Sequence, residues 1–420
     1  MAGLSPHILT WTIVALAVSG VIVRPFNWPE AIWAVAGAAL LVVFGLLSPG
    51  AALAGVAKGT DVYFFLTGMM LLAEIARLEG LFDWLAAQAT SHAGGSPRRL
   101  FFLTYVVGIL VTTFLSNDAT AVVLTPAVAA AVKAAKAEAP LPYLLICAFI
   151  ANAASFVLPI SNPANLVIYG SHMPPLLQWL PRYLLASCVA IVATYAALRF
   201  GLRRELRQAI ASNVPVPQLT AGGKTAAAGI VATAGVLLVA SAMDIQLGLP
   251  TCVAGAATAA IVLIRRPSQS WDAVKDVSWG VLPLVAGLFV LVEALDRTGV
   301  IAVISALLRE AAVHSAAAAA WAAGVVVAVT SNFANNLPVA LIAGSAVQSD
   351  QTVDQMTRAI LIGVDLGPNL SVTGSLATIL WLTALRREGH KVSAVAFLQL
   401  GLIVMPPALV LALAASFLAR

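Results

Sequence analysis

Long apolar stretches, each broken by only a few polar residues, follow one another along almost the whole chain. Segments near 8–23, 31–47, 61–76, 141–169 and 176–198 read as membrane spans in the first half, because a crossing helix takes about 20 apolar residues. In the second half the spans are 225–243, 249–264, 280–295, 356–385 and 393–418. The stretches 101–134 and 315–348 fit neither one straight crossing nor two crossings with a loop, and each carries a polar break in its middle. A re-entrant hairpin fits both. The breaks are Ser116-Asn117-Asp118-Ala119-Thr120 and Ser331-Asn332-Phe333-Ala334-Asn335-Asn336. Unpaired polar groups at lipid depth cost kilocalories, so both islands are expected to serve a site.

Composition agrees. With 61% hydrophobic and 10% charged residues over 420 positions, the chain has too little polar surface for a soluble protein of its size. There is room for roughly ten to twelve membrane segments and no separate soluble domain. The segment from Ile8 to Val23 lacks a basic region before it and a small-residue cleavage site after it, and reads as a retained first helix. Cys147, Cys188 and Cys252 lie far apart in apolar runs without CxxC spacing, so they are expected to be small buried hydrophobes. The histidines show no HxxH or HExxH spacing, and no metal site is expected. No Walker A sequence occurs, so the chain itself is not expected to hydrolyse ATP; the expectation is a transporter and not an enzyme, with no cofactor and no nucleic acid partner.

Charge orients the spans. Arg98, Arg99, Lys133, Lys136, Arg199, Arg203, Arg204, Arg207, Arg265, Arg266, Lys275, Arg386, Arg387 and Lys391 gather in a few loops, cytoplasmic by the positive-inside rule. All of them fall on one face only if 101–134 enters and leaves on the same side. Lys58, Arg182, Arg297, Arg309, Arg358 and Arg420 form the external minority. Multi-pass insertion in the inner (plasma) membrane follows, with the loop 199–224 in the cytoplasm.

An internal repeat supports this layout. Thr67 to Leu81 aligns without gaps on Ala286 to Val300, matching Gly68, Glu74 and Gly80 to Gly287, Glu293 and Gly299. Each copy is followed by a hairpin opening its break with Ser-Asn, then by a broken helix: Asn162-Pro163-Ala164-Asn165 in one half, Gly367-Pro368-Asn369-Leu370 in the other. Asn165 and Asn369 each precede a Gly by five positions. Corresponding elements run in opposite directions, as in secondary transporters built from inverted repeats. The expected fold is therefore an all-α polytopic membrane protein: two inverted repeats, about ten transmembrane helices, two re-entrant hairpins and two broken helices. Residues 1–200 form the first repeat, with hairpin 101–134 and broken helix 141–170. Residues 201–223 form a cytoplasmic linker, and 224–420 the second repeat, with hairpin 315–348 and broken helix 356–385.

Helix ends inside a membrane must be buried in protein or face a water-filled cavity, so the four breaks predict a polar chamber at the midplane. Its expected lining is Asn117, Asp118 and Thr120; Asn332, Asn335 and Asn336; and Ser161, Asn162, Asn165, Asp365, Asn369, Ser371 and Thr373. Amides and hydroxyls both donate and accept, which suits a small, uncharged, multiply hydroxylated solute. Asp118 and Asp365 are the carboxylates placed to load and release a proton; Asp118 alternatively caps the second hairpin arm, and Asp365 a half-helix. Glu74 and Glu293, followed by Arg77 and Arg297 at helical spacing, are expected to form ion pairs rather than contact substrate. Pro126, Pro159 and Pro338 are expected to kink or end helices.

The strings FLSNDATAVVLTPAV (Phe114 to Val128), SNFANNLPVALIAG (Ser331 to Gly344) and GVDLGPNLSVTGSLATILWL (Gly363 to Leu382) resemble the ArsB-type arsenite efflux permeases of the ion-transporter superfamily. The resemblance runs over essentially the whole chain. It implies export of arsenite and antimonite by antiport with protons, in some members with a cytosolic ATPase partner, on the two-hairpin inverted-repeat fold. Arsenous acid is largely a neutral trihydroxide at neutral pH, which suits a chamber of amides and hydroxyls with neither Lys nor Arg. The rival reading is a sodium-coupled dicarboxylate or inorganic-anion symporter of the same superfamily. Such relatives carry Ser-Asn-Thr at the tips, where this chain places Asp118 and Phe333. A passive neutral-solute channel is the third reading.

Overall fold

The computed structural model describes residues 5–212, 214–264, 274–348 and 354–418. Arg265, Arg266 and Arg420, assigned above to the two faces, lie outside them. The described residues are helical and contain no strand. Helices long and apolar enough to cross a membrane include Pro6–Val23, Leu176–Gly201, Ala221–Ala242 and Ala394–Leu418. Their outward faces carry Leu16, Val192, Val231 and Val410, all exposed, as a lipid-facing surface requires.

We number the helices α1 (Pro6–Val23), α2 (Glu30–Val43), α3 (Pro49–Lys58), α4 (Thr60–Leu78), α5 (Leu81–Ala93) and α6 (Pro97–Phe114). Next come α7 (Asn117–Ala119), α8 (Thr125–Ala134), α9 (Leu141–Ala153), α10 (Pro163–Tyr169), α11 (Leu176–Gly201), α12 (Ala221–Ala242) and α13 (Gly248–Ile264). The remainder are α14 (Val281–Arg297), α15 (Val300–Ala334), α16 (Asn336–Gln348), α17 (Asp354–Leu366), α18 (Leu376–Arg387) and α19 (Ala394–Leu418). The short connecting helices α3 and α5 and the first half of α15, up to a kink at Ser315, were not foreseen as elements.

The first polar island breaks its helix where expected. α6 stops at Phe114, Leu115 caps it through its N–H to Val111 O, Ser116 is extended, and Ser116 Oγ accepts the N–H of Ala119 at 3.1 Å to start the next arm. That arm passes through a π-helical turn over Thr120–Leu124 just before Pro126, whose missing N–H removes one rung of the α ladder. Thr112 Oγ1 lies 2.8 Å from Thr120 Oγ1. On an unbroken helix the same two positions would be ~12 Å apart, so the chain turns sharply here. The Tyr143 hydroxyl donates to Pro97 O at 3.4 Å, and Ala211 N–H to Ala135 O at 2.8 Å. Both ends of 97–134 therefore reach the face of the Arg199–Arg207 loop. In the second half α15 and α16 meet at Asn335, which has a left-handed φ of 66°, and the two arms pack together.

Two other crossings are broken. α9 ends at Ala153 and α10 starts at Pro163, with a short 3-10 turn Pro159–Ser161 between them. α17 ends at Leu366, and the turn Gly367–Leu370 and an extended Ser371 precede α18. The second arm of each hairpin packs against the second half of the other broken helix: 120–134 against α18, and α16 against α10. Gly344 makes the latter contact close, since a Cβ there would stand 2.8 Å from Ile168 Cα.

Around this core, α4 packs on α13 and α14 on α2. Gly68 and Gly287, matched in the repeat, are where these pairs touch: a Cβ on Gly68 would meet Thr251 O at 2.2 Å, and one on Gly287 would meet Ala34 C at 2.8 Å. Gly80 and Gly299, also matched, both have positive φ, 72° and 85°, and open the following helix.

Charged residues near the helix ends pair with one another. Arg77 pairs with Glu74 at 2.5 Å and Asp276 at 3.1 Å, whereas Glu293 pairs with Lys58 at 2.6 Å and Arg297 at 2.9 Å. Arg182 and Arg358 share Asp354. The cysteines correct the expectation: only Cys147 is buried, while Cys188 is exposed and Cys252 partly so. Apolar surroundings in such a chain include lipid as well as core, so an apolar run does not imply burial in protein.

Candidate functional site

A cavity of about 640 Å³ lies between two walls. α4 supplies one wall with Phe65, Leu66, Met69 and Met70, joined by Val277 and Val281. The first hairpin supplies the other with Ser116, Asp118, Val122 and Pro126, joined by Leu380, Thr383 and Ala384 of α18. Glu74, Arg77, Lys275, Asp276, Arg387 and Glu388 ring its mouth, so it opens on the face to which the basic loops belong. At its inner end is a pocket of about 20 Å³, roughly the space for one water. Asn117, Asp118, Asn162 and Asn336 supply the polar atoms there, and Leu66, Val281 and Val285 close the apolar side.

Asp118 lines both spaces. Its backbone N–H donates to Asn117 Oδ1 at 2.9 Å, and its carboxylate has no hydrogen bond or ion pair among the described residues. Asn162 Oδ1 accepts the Ala164 N–H at 3.0 Å, capping α10, and its Nδ2 donates to Asp365 Oδ1 at 2.6 Å. Asp365 is fully buried, and its Oδ2 has no protein partner. Asn162 thus joins the cavity to the second carboxylate.

The other residues expected at the chamber lie behind this lining. Thr120, Ser161, Asn165 and Asn369 are all fully buried. Ser161 Oγ donates to Thr113 O at 3.1 Å, tying the first tip to the first break. Asn165 Nδ2 donates to Ser155 O at 2.8 Å inside that break, and its Oδ1 has no partner. Asn332 ties the second tip to the second break. Its Nδ2 donates to Gly367 O at 3.1 Å, its Oδ1 accepts from Ser371 Oγ at 2.8 Å, and its carbonyl accepts from Thr373 Oγ1 at 3.0 Å. Asn335 Oδ1 accepts the Leu337 N–H at 3.3 Å, capping α16. Phe333, beside them, is exposed.

Sequence reasoning missed a central knot. Asn152 Nδ2 donates to Asn369 Oδ1 at 3.0 Å and Thr378 Oγ1 at 3.3 Å, while Asn152 Oδ1 accepts from Ser375 Oγ at 3.3 Å. A lone Asn in the apolar run Ile150-Ala151-Asn152-Ala153 is the same kind of signal as the tips, at lower density. Glu74 and Glu293 form the expected ion pairs, and Glu74 also stands at the cavity mouth.

The comparisons accord with this architecture. The arsenical pump membrane protein of Escherichia coli K12 is 26% identical over 437 aligned positions, covering 97% of this chain and 98% of that protein. That of Yersinia enterocolitica is 27% identical over 350, covering 80% and 81%. The YdaH transporter of Alcanivorax borkumensis, whose crystal structure is described as revealing an unusual topology, superposes with a TM-score of 0.59 at 15% identity, covering 99% of this chain and 97% of that one. The likeness in structure is one of fold. The profile of the citrate transporter family (CitMHS) matches residues 9–363. With that match over most of its length, and with broken helices and hairpin tips enclosing a cavity, the chain belongs to the citrate transporter family of membrane transporters.

Proposed function

We propose that the chain exports arsenite and antimonite from the cytoplasm in exchange for protons. Asp118 carries the proton, and the neutral trihydroxide enters the larger cavity and is held by the amides of Asn117, Asn162 and Asn336 once the inner pocket, about the size of one water in this structure, widens. One observation carries this reading: a carboxylate without partners stands where the cavity meets the inner pocket, and no Lys or Arg lines that pocket. A neutral polyhydroxylated solute needs such uncharged donors and acceptors, and a proton needs a titratable group open to the cavity. The arsenical pump relatives support the choice of cargo. Residues 1–200 and 224–420 act as inverted repeats joined by the cytoplasmic linker 201–223, in an inner membrane with the cavity mouth facing the cytoplasm. Asp365 is a second proton site, reached through Asn162. Thr120, Ser161, Asn165, Asn332, Asn335, Asn369, Ser371 and Thr373 hold tips and breaks in register, and take part in binding when the cavity rearranges. A cytosolic ATPase is a further partner in this reading.

The name of the matched family favours a second reading, sodium-coupled uptake of a carboxylate. An unpaired Asp118 in the cavity repels such an anion and weighs against it. A passive channel is disfavoured by the narrowing of the cavity to about the volume of one water.

The test is arsenite movement into inverted vesicles, with and without an inward-acidic gradient, for wild type and Asp118→Asn. Uptake that needs the gradient and is lost in the variant supports proton antiport through Asp118. Uptake indifferent to both indicates a passive pore, and no uptake restores the anion symporter.

A further inference from the structure

Where α6 begins and α11 ends, four arginines stand beside a seam of aromatic rings. Arg98 and Arg99 precede Phe102 by one turn on α6, and Arg199 follows Tyr195 by one turn on α11. The rings join the two helices. Phe102 meets Tyr195 edge-on with 5.8 Å between centroids, Tyr105 packs on Tyr195 at 5.2 Å, and the Tyr105 hydroxyl donates to Ile191 O at 2.7 Å. Arg199 Nη1 donates to the Tyr195 hydroxyl at 3.2 Å, and the Arg203 guanidinium stands 4.7 Å from the centre of the Phe200 ring. All four arginines are exposed, and none pairs with a carboxylate among the described residues, unlike Arg77, Arg182 and Arg297. A second observation concerns the surface next to them. Phe102, Phe200 and Val192 are 48%, 59% and 65% exposed on two helices long and apolar enough to cross a membrane. Cations without an internal counter-charge therefore stand directly above an apolar, lipid-facing strip.

We propose that this seam binds an anionic phospholipid, its phosphodiester held by Arg98, Arg99 and Arg199 and its acyl chains laid on Phe102, Val192 and Phe200. The planar guanidinium fork matches phosphate oxygens, and the hydrogen bond to Tyr195 and the Phe200 ring hold Arg199 and Arg203 in place beforehand. A zwitterionic lipid brings its own cation to the site and gains less from unpaired arginines. Free phosphate has no apolar part to cover the strip. The bound lipid bridges the base of the first hairpin arm to α11, a junction the protein itself closes only through ring contacts and the Tyr105 hydrogen bond. Neither the cargo nor its coupling enters this inference.

The experiment is native mass spectrometry of the full-length protein in detergent, titrated with phosphatidylglycerol or phosphatidylcholine, with inorganic phosphate as competitor. Wild type should hold its tightest phosphatidylglycerol about tenfold more strongly than phosphatidylcholine. Arg98→Gln with Arg199→Gln should abolish that preference and leave phosphatidylcholine binding unchanged, and each single change should give part of the loss. Lys391→Gln, an exposed charge elsewhere among the basic loops, should leave the preference intact. Phe102→Ser should weaken both lipids, as contact with acyl chains requires. The altered arginines are exposed, so the variants should keep the wild-type thermal midpoint in lipid-free detergent. Wild type without a preference overturns the proposal, as does a preference that survives the double change. It is equally overturned if Lys391→Gln costs as much, which would make the attraction a diffuse one, or if inorganic phosphate displaces the lipid at equal concentration.

Discussion

The two buried carboxylates differ in what surrounds them. Asp118 faces the cavity, whereas Asp365 is fully buried with one oxygen held by Asn162 and the other unpartnered. Replacing Asn162 with Leu removes both the donor to Asp365 and the cap of α10. We expect Asn162→Leu to destabilise the protein by about 1–3 kcal/mol, seen as a lower thermal midpoint in detergent. Adding Asp365→Leu should recover part of that loss, because no buried carboxylate is then left without a donor. No recovery would mean that the cap dominates. Both residues were legible in the sequence as polar positions in apolar runs. Their mutual contact was not, because they stand 203 positions apart and meet only when two broken helices cross.

At the scale of elements, the helix breaks were legible because backbone physics is local. Ser before a short polar run starts a helix arm, and Pro or Gly beside it favours a break, although Pro181, Pro406 and Pro407 lie inside the continuous helices α11 and α19. The partners of the breaks were not legible. Each tip is tied to the break of its own half, and each second arm packs on the other half. Close contacts through glycine also belong to this scale. Gly68→Ala would drive a Cβ to 2.2 Å from Thr251 O, so α4 or α13 must shift. The expected cost is about 1–3 kcal/mol by thermal unfolding. Gly50→Ala, where nothing lies within 4 Å, should cost nothing measurable. Equal effects at the two positions would show that the α4–α13 contact does not limit stability.

For the whole molecule, the cavity lining includes Arg77, Lys275 and Arg387, charges of the face assigned to the cytoplasm. A cysteine at Ala384, on the cavity wall, should react with a membrane-impermeant thiol reagent in inverted vesicles and not in intact cells. Arsenite should slow that reaction if cargo enters the same space. Labelling in intact cells instead would invert the orientation assigned from the basic loops. The fully buried Cys147 should not contribute background, but exposed Cys188 and partly exposed Cys252 call for Ser substitutions in the starting protein.

By itself the sequence determined the class of solvent and the places where helices fail, and it set the expected orientation and the two acids to test. Each of these follows from local composition: apolar length, basic loops, and polar residues that cannot stay in lipid unpaired. Only the tertiary structure decided which of the expected polar residues face a common space. Asn117, Asp118, Asn162 and Asn336 do, while Thr120, Ser161, Asn165 and Asn369 are spent on holding tips and breaks together. The physical reason is that a buried amide or hydroxyl must find a partner, and whether that partner is cargo or backbone depends on which distant segment packs against it.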